Sequence, residues 1–172
     1  TNNYPVAPYY IQNIFHTMIP TWKEDSSKLD DIFLECVEIA KKVLKREIIQ
    51  AQDMLEAEEA VMETYQNASD KRIIVLDKNY PFEYILVNFP EPLFVVYPRK
   101  TNNDWGVKAI RKDMSTFNNR KDLPISWAGL HDKELQKVSG VPDAVFCHRA
   151  LFVASAKSED GAIKLAQIAV ES

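Results

Sequence analysis

Ala144-Val145-Phe146-Cys147-His148-Arg149-Ala150-Leu151-Phe152-Val153-Ala154, with the run from Ser158 to Val170 behind it, decides the fold. Residues 144–148 and 151–154 are short apolar stretches on either side of Arg149-Ala150. Runs of that length, rich in β-branched and aromatic residues, read as buried strands. Ser158 is placed to cap a helix over 159–170, in which Ala162, Leu165, Ala166 and Ala169 share one face, as the three- and four-residue spacing of a helical stripe requires. Strands leading into a helix with one face to bury imply a sheet with helices packed on it.

Upstream, Asp132 to Val138 reads as a short helix closed by Ser139-Gly140, with Pro142 past its end. Leu123 to Leu130 reads as a loop around a buried Trp127. Leu93–Tyr97 and Trp105–Ile110 flank the turn-rich Lys100-Thr101-Asn102-Asn103-Asp104, a hairpin signal, and Arg72–Leu76 is a further buried strand. Tyr80 to Val87 fits either a short helix, with Pro81 in its first turn, or a strand. From Lys28 to Tyr65 the apolar residues Phe33, Val37, Ala40, Leu44, Ile48, Ala51, Leu55, Met62 and Tyr65 form one helical stripe with no Gly or Pro in it. Ser26 or Ser27 is the expected N-cap, and Asp30 and Asp31 sit where the helix dipole favours carboxylates. Unbroken, such a helix is roughly 57 Å long at ~1.5 Å per residue, so it must kink or cross from one part of a protein to another. The expected class is α/β: a mixed, α+β-like sheet flanked by helices, with a long N-terminal helix. The expected division is an apolar lead-in over 1–27 from an upstream domain, a helical arm over 28–66, and an α/β substrate-binding lobe over 67–172.

The 172 residues are 46% hydrophobic and 27% charged, enough apolar surface for a packed core and far from a disordered composition. Cys36 and Cys147 are distant from each other in sequence and read as reduced thiols in an intracellular protein. No apolar run approaches the ~20 residues that span a bilayer. Tyr4-Pro5-Val6-Ala7-Pro8-Tyr9-Tyr10 is more apolar than an ordinary terminus, and the expectation is that the natural chain continues upstream.

His16, His131 and His148 are scattered, and neither they nor the two cysteines have metal-site spacing. Phosphate-binding glycine loops and a nucleophile elbow are missing from a chain with four glycines. Glu56, Glu58, Glu59 and Glu63 read as a solvated acidic face. Charge is unevenly placed. Arg99, Lys100, Lys108, Arg111, Lys112, Arg120 and Lys121, against Asp104 and Asp113, leave +5 over 99–121, and the rest of the chain near −9. With Trp105 and Phe117 this segment suits a phosphate backbone and a stacked base. A Lys-rich sheet edge guarded against edge-to-edge pairing explains the same charges.

Leu123-Pro124-Ile125-Ser126-Trp127-Ala128-Gly129-Leu130-His131-Asp132-Lys133-Glu134-Leu135, then Val138-Ser139-Gly140-Val141-Pro142 and Val145-Phe146-Cys147-His148, carry a resemblance. So do Ile19-Pro20-Thr21-Trp22 ahead of the long helix and Glu159-Asp160-Gly161-Ala162 at the last one. Together they resemble the melanocyte proliferating gene family, DHH-like proteins described as metal-dependent hydrolases and 3′–5′ RNA exonucleases. The resemblance implies that this chain is the C-terminal half of such a protein, similar to the second lobe of DHH-type phosphoesterases, which closes over a metal lobe and holds substrate. By the same resemblance the divalent metal, Mn or Mg, belongs to the N-terminal lobe, the partner of this one, and the setting is mitochondrial or nuclear. The isolated chain is then expected to bind substrate, with single-stranded RNA as the candidate, without hydrolysing it. An interaction or dimerisation module with no substrate role, a homodimer among its forms, is the alternative.

Two departures bear on substrate binding. The family pattern continues after its His as Ala-Ser-Gly-Phe-Ile-Gly-Gly, where this chain has Arg149-Ala150-Leu151-Phe152-Val153-Ala154-Ser155, and Ala128 stands where many members carry Arg. Lost glycines remove close backbone approach to a phosphate, and Arg149 and Lys157 are candidates to supply charge instead. His148 matches the family's strand-end His, with a backbone-satisfied His as the alternative. Ser139 and Gly140 offer an anion-binding turn or an ordinary helix cap. Arg120, Lys121 and Arg111 complete the candidate substrate-binding set; no catalytic and no metal-ligating residue is assigned within the chain.

Overall fold

The computed structural model describes residues 10–100 and 103–172. The apolar lead-in before Tyr10 and the middle of the hairpin connector lie outside the described residues. The chain forms two compact units, 1–52 and 53–172, and the division falls inside the long helix.

In the first unit, α1 (Ile11–Thr17) is followed by a 3-10 turn over Ser26–Lys28 and the start of α2 (Leu29–Asn67). The cap is one residue earlier than the serines suggested. Asp25 accepts from both the Ser27 amide at 2.9 Å and the Ser27 hydroxyl at 2.6 Å, because an ionised carboxylate outcompetes a hydroxyl for an amide at a helix start. No described residue of this unit is buried.

The second unit is a five-stranded mixed sheet. Its strands are β1 (Ile73–Val75), β2 (Phe94–Arg99), β3 (Asp104–Ala109), β4 (Ala144–Cys147) and β5 (Val153–Ala156), in the order β1-β2-β3-β5-β4. β1 and β2 are parallel; the other pairs are antiparallel. Alternation along β2 sends Phe94 and Val96 to one face and Val95 to the other. The first face is covered by α4 (Asp132–Ser139) and α5 (Glu159–Glu171), through Leu135, Ala162, Leu165, Ala166 and Ala169, with Trp127 2% exposed in the same core. On the second face Val61 and Tyr65, late in α2, pack with Phe82, Ile85 and Leu86 around α3 (Glu83–Leu86). Within 80–87, residues 83–86 thus resolve as helix and none as strand: β1 and β2 are parallel neighbours, and a parallel pair needs a connection that leaves the sheet.

The hairpin of β2 and β3 is present, but it is not an edge. β3 pairs with β5 from Trp105↔Ala156 to Lys108↔Val153, so its Lys108 guards no open strand. Lys108 instead forms an ion pair with Glu83 of α3. The edges are β1 and β4, and 129–131 runs beside β4, with the Gly129 amide donating to the Cys147 carbonyl and the Cys147 amide to Leu130.

Candidate functional site

Strand register gathers three segments at one end of the sheet, where β3 and β4 finish and β5 begins. The first is the loop 110–123 after β3, tied down by Ala109 N to Phe152 O and Leu123 N to Leu151 O, both 2.9 Å. The second is the turn 148–152 between β4 and β5. The third is the Val87–Pro92 connection entering β2.

Loop 110–123 is pinched at its base, where Arg111 bridges Asn119 and the Lys112 amide donates to the Asn118 carbonyl at 2.8 Å. Its tip is shaped by Asp113, which accepts from Ser115 and Thr116 and is held below the usual carboxylate range, the Ser115 hydroxyl being the leading cause. Phe117 is 85% exposed and the Arg111 guanidinium lies 4.7 Å from its ring centroid. An aromatic ring in water beside a guanidinium plane is a surface on which a planar base can stack.

In the neighbouring turn, the His148 amide donates to the Val153 carbonyl at 2.8 Å, and His148 Nδ1 accepts from the Ala150 amide at 3.0 Å. With Nδ1 an acceptor, the proton of the neutral ring sits on Nε2. The ring also lies 4.5 Å from that of Phe152. His148 and Arg149 are exposed, and the Arg149 side chain passes over Gly129, whose φ of +74° takes no strain because it has no Cβ.

Arg120 and Lys121 lie at this end too, but their donors are engaged. The Arg120 guanidinium donates to the carbonyls of Val87 at 2.6 Å, Pro92 at 3.1 Å and Phe89, and burial lowers its pKa against the opposing charge of Glu91. Lys121 Nζ donates to the carbonyls of Val170 at 2.7 Å and Ser172 at 2.8 Å, at the C-terminus of α5, where the helix dipole favours a cation.

Ser139, Gly140 and Lys157 fall at the opposite end of the sheet, beside the start of β4 and the end of β5. Gly140, at φ +72°, is the left-handed cap of α4, its amide donating to Gln136 at 2.9 Å, while Ser139 Oγ accepts from the Val141 amide at 3.2 Å. Lys157 is exposed next to Asp143, whose carboxylate sits on the N-terminus of α5 and accepts from the amide and hydroxyl of Ser158 at 2.8 and 2.5 Å. A Cβ on Gly161 would come 2.1 Å from Asp143 Oδ1, so a larger residue there must push the Asp143 carboxylate aside. Asp143 escapes a sequence reading because it caps a helix that starts fifteen residues later, and no local spacing marks it. Trp127 is core and Trp105 packs against the same core, leaving Phe117 as the exposed ring.

Among the described residues no three His, Cys, Asp or Glu side chains gather to hold a metal ion. The divalent metal implied by the resemblance therefore finds no donor set among them. Nor is any described helix long and apolar enough to cross a membrane.

Fold and site together define a mixed α/β lobe that collects basic and aromatic side chains at one end of its sheet. The MYG1 family, described as "Uncharacterised protein family (UPF0160)", matches residues 2–170, and the chain belongs to it. A MYG1 protein of Caenorhabditis elegans is 29% identical over 87% of this chain and 48% of its own length. A MYG1 protein of Saccharomyces cerevisiae is 28% identical over 93% of this chain and 51% of its own. A mouse protein named MYG1 exonuclease is 27% identical over 86% of this chain and 42% of its own. The chain thus spans about half the length of the curated relatives it matches. No solved structure matches it.

Proposed function

We propose that this chain is the substrate-holding part of a MYG1-type exonuclease, a hydrolase whose catalytic groups and divalent metal lie in the half of the family's length outside the chain. The observation that carries this reading is the meeting of the Arg111–Phe117 loop with the His148–Arg149 turn at one end of the sheet. A single-stranded RNA 3′ end would stack a base on Phe117 and set its phosphates against Arg149 and His148 Nε2, with the likeness to the second lobe of DHH-type phosphoesterases supplying the closing motion. Backbone charge and a stacking ring bind single strands with little sequence preference and strong salt dependence. Arg120 and Lys121 belong to the frame behind this surface.

Fluorescence anisotropy of a short single-stranded RNA, titrated with the chain across a salt series, tests the reading. Binding should weaken as salt rises, and Arg111→Glu with Arg149→Glu should abolish it while the melting temperature stays put. Salt-insensitive binding, or binding indifferent to those two charges and to Phe117→Ala, would sink it. The alternative, an interaction module, draws on a different surface, the exposed apolar residues of the first unit.

A further inference from the structure

We infer that the first unit is a self-association surface, in which α2 of one copy pairs antiparallel with α2 of a second copy about a two-fold axis crossing the helix between Glu38 and Ile39. Within this unit Leu29, Phe33, Leu44 and Ile48 are 47%, 65%, 61% and 50% exposed, and with Val37 and Ala40 they form one stripe along the helix. Among the described residues, α1 covers the neighbouring flank. Ile32 and Cys36 are partly buried there, with Cys36 Sγ 3.6 Å from Met18 Sδ. Between the two helices an open groove of about 700 Å³, lined by Phe15 and Ile19 of the α1 side and by Leu29, Phe33, Val37 and Ala40, follows the stripe. A contiguous apolar stripe of this kind on a helix marks a surface that another element covers.

Charge selects the occupant. Between Leu29 and Glu38 the charged residues are Asp30, Asp31, Glu35 and Glu38, with no base; between Ile39 and Arg46 they are Lys41, Lys42, Lys45 and Arg46, with no acid. A second copy laid parallel and in register would set each block against its like. Turned antiparallel about the Glu38–Ile39 point, it sets acid against base. The same turn brings Leu29 opposite Ile48, Phe33 opposite Leu44 and Val37 opposite Ala40, so one register satisfies the stripe and the charges together. On the flank away from α1, at ~100° per residue, it places Asp30 near Lys45 and Glu38 near Lys41 of the other copy. Lys41 now pairs with its own Glu38 at 2.7 Å, both side chains being more than 60% exposed, and such a surface pair exchanges partners at little cost. A two-fold interface is self-complementary, each pair occurring twice, and alternating charge blocks are what impose its direction.

Sedimentation equilibrium of the intact chain at micromolar concentration should show a dimer. Phe33→Asp with Leu44→Asp should make it monomeric while far-UV circular dichroism is unchanged, because both side chains are exposed and no core depends on them. Lys45→Glu alone and Asp30→Lys alone should each weaken dimerisation about tenfold, and the two together should restore it to within about threefold of the parent. A monomer across the concentration range, a dimer indifferent to the Phe33 and Leu44 changes, or a double charge swap weaker than either single one would each overturn the inference. The charge swaps need no apolar surface altered, so they decide the matter even if the aspartates disturb α2. RNA binding plays no part in any of these readouts, so this inference and the proposed function fail separately.

Discussion

Leu151 holds φ at +58° in the turn between β4 and β5, and it is 8% exposed. The left-handed region costs a residue with a Cβ about 1–2 kcal/mol, yet the side chain is anchored in the core beneath the turn. Apolar burial here holds a conformation that glycine adopts freely. The usual size order should therefore invert: Leu151→Ala keeps the strain and loses the packing, and should be less stable than Leu151→Gly by about 1 kcal/mol in a urea melt. Arg120 carries a second test. Arg120→Met strands three main-chain carbonyls and should cost about 3 kcal/mol by the same measurement, whereas a residue whose role is to meet a ligand would leave stability intact. Cys147 carries a third. Burial pushes its thiol up to about 11, so the unfolded chain, with an ordinary thiol, releases that proton first as pH rises. The contribution is full below about pH 9 and declines toward pH 11. Relative to Cys147→Ala, the parent should lose stability steadily between those values; parallel pH profiles would refute the assignment. None of these three constraints shows in local sequence. Two depend on partners about thirty residues away or on burial, and a positive φ at Leu is invisible to propensity.

α5 shows where element-scale legibility stops. Its span, its Ser158 cap and its Ala-Leu-Ala-Ala face all follow from spacing, and the Ser158 hydroxyl does accept from the Gly161 amide at 3.0 Å. What spacing hides is the carboxylate of Asp143 lying over the same turn. Gly161→Ala should therefore destabilise the parent by driving Asp143 off Ser158, but should stabilise an Asp143→Ala background, where only the helix preference for alanine, up to about 1 kcal/mol, remains. A thermal-melt double-mutant cycle reads the sign change directly. The hairpin of β2 and β3 teaches the same lesson at its own level: its strands are written in alternation and turn residues, but its central place in the sheet is set by β5, more than forty residues downstream of β3. Charge counted along 99–121 accordingly does not say which of these side chains gather. Register sends Arg111 and Phe117 to one end of the sheet, leaves Trp105 against the core, and engages Arg120 and Lys121 in the frame, while His148 and Arg149 join from a segment that the count left out.

At the scale of the molecule, every buried side chain among the described residues lies in 53–172, so stability and self-association should be separable. Phe33→Asp with Leu44→Asp should leave the melting temperature of the monomer within about 1 °C of the parent's, as exposed substitutions do; a large drop would show that the first unit supports the core. The sheet order has its own consequence for how the protein is made. β3 occupies the middle of the sheet, yet the strand that covers its far side, β5, and the helix that roofs the first face, α5, come more than forty residues after it in the chain. A nascent chain that has delivered β1, β2 and β3 still presents an open seam along Trp105 to Lys108, and it closes only when β5, at 153–156, has left the ribosome. Until then the unpaired edge of β3 is open to wrong partners, and a chain cut short before Val153 should aggregate more readily than the full one.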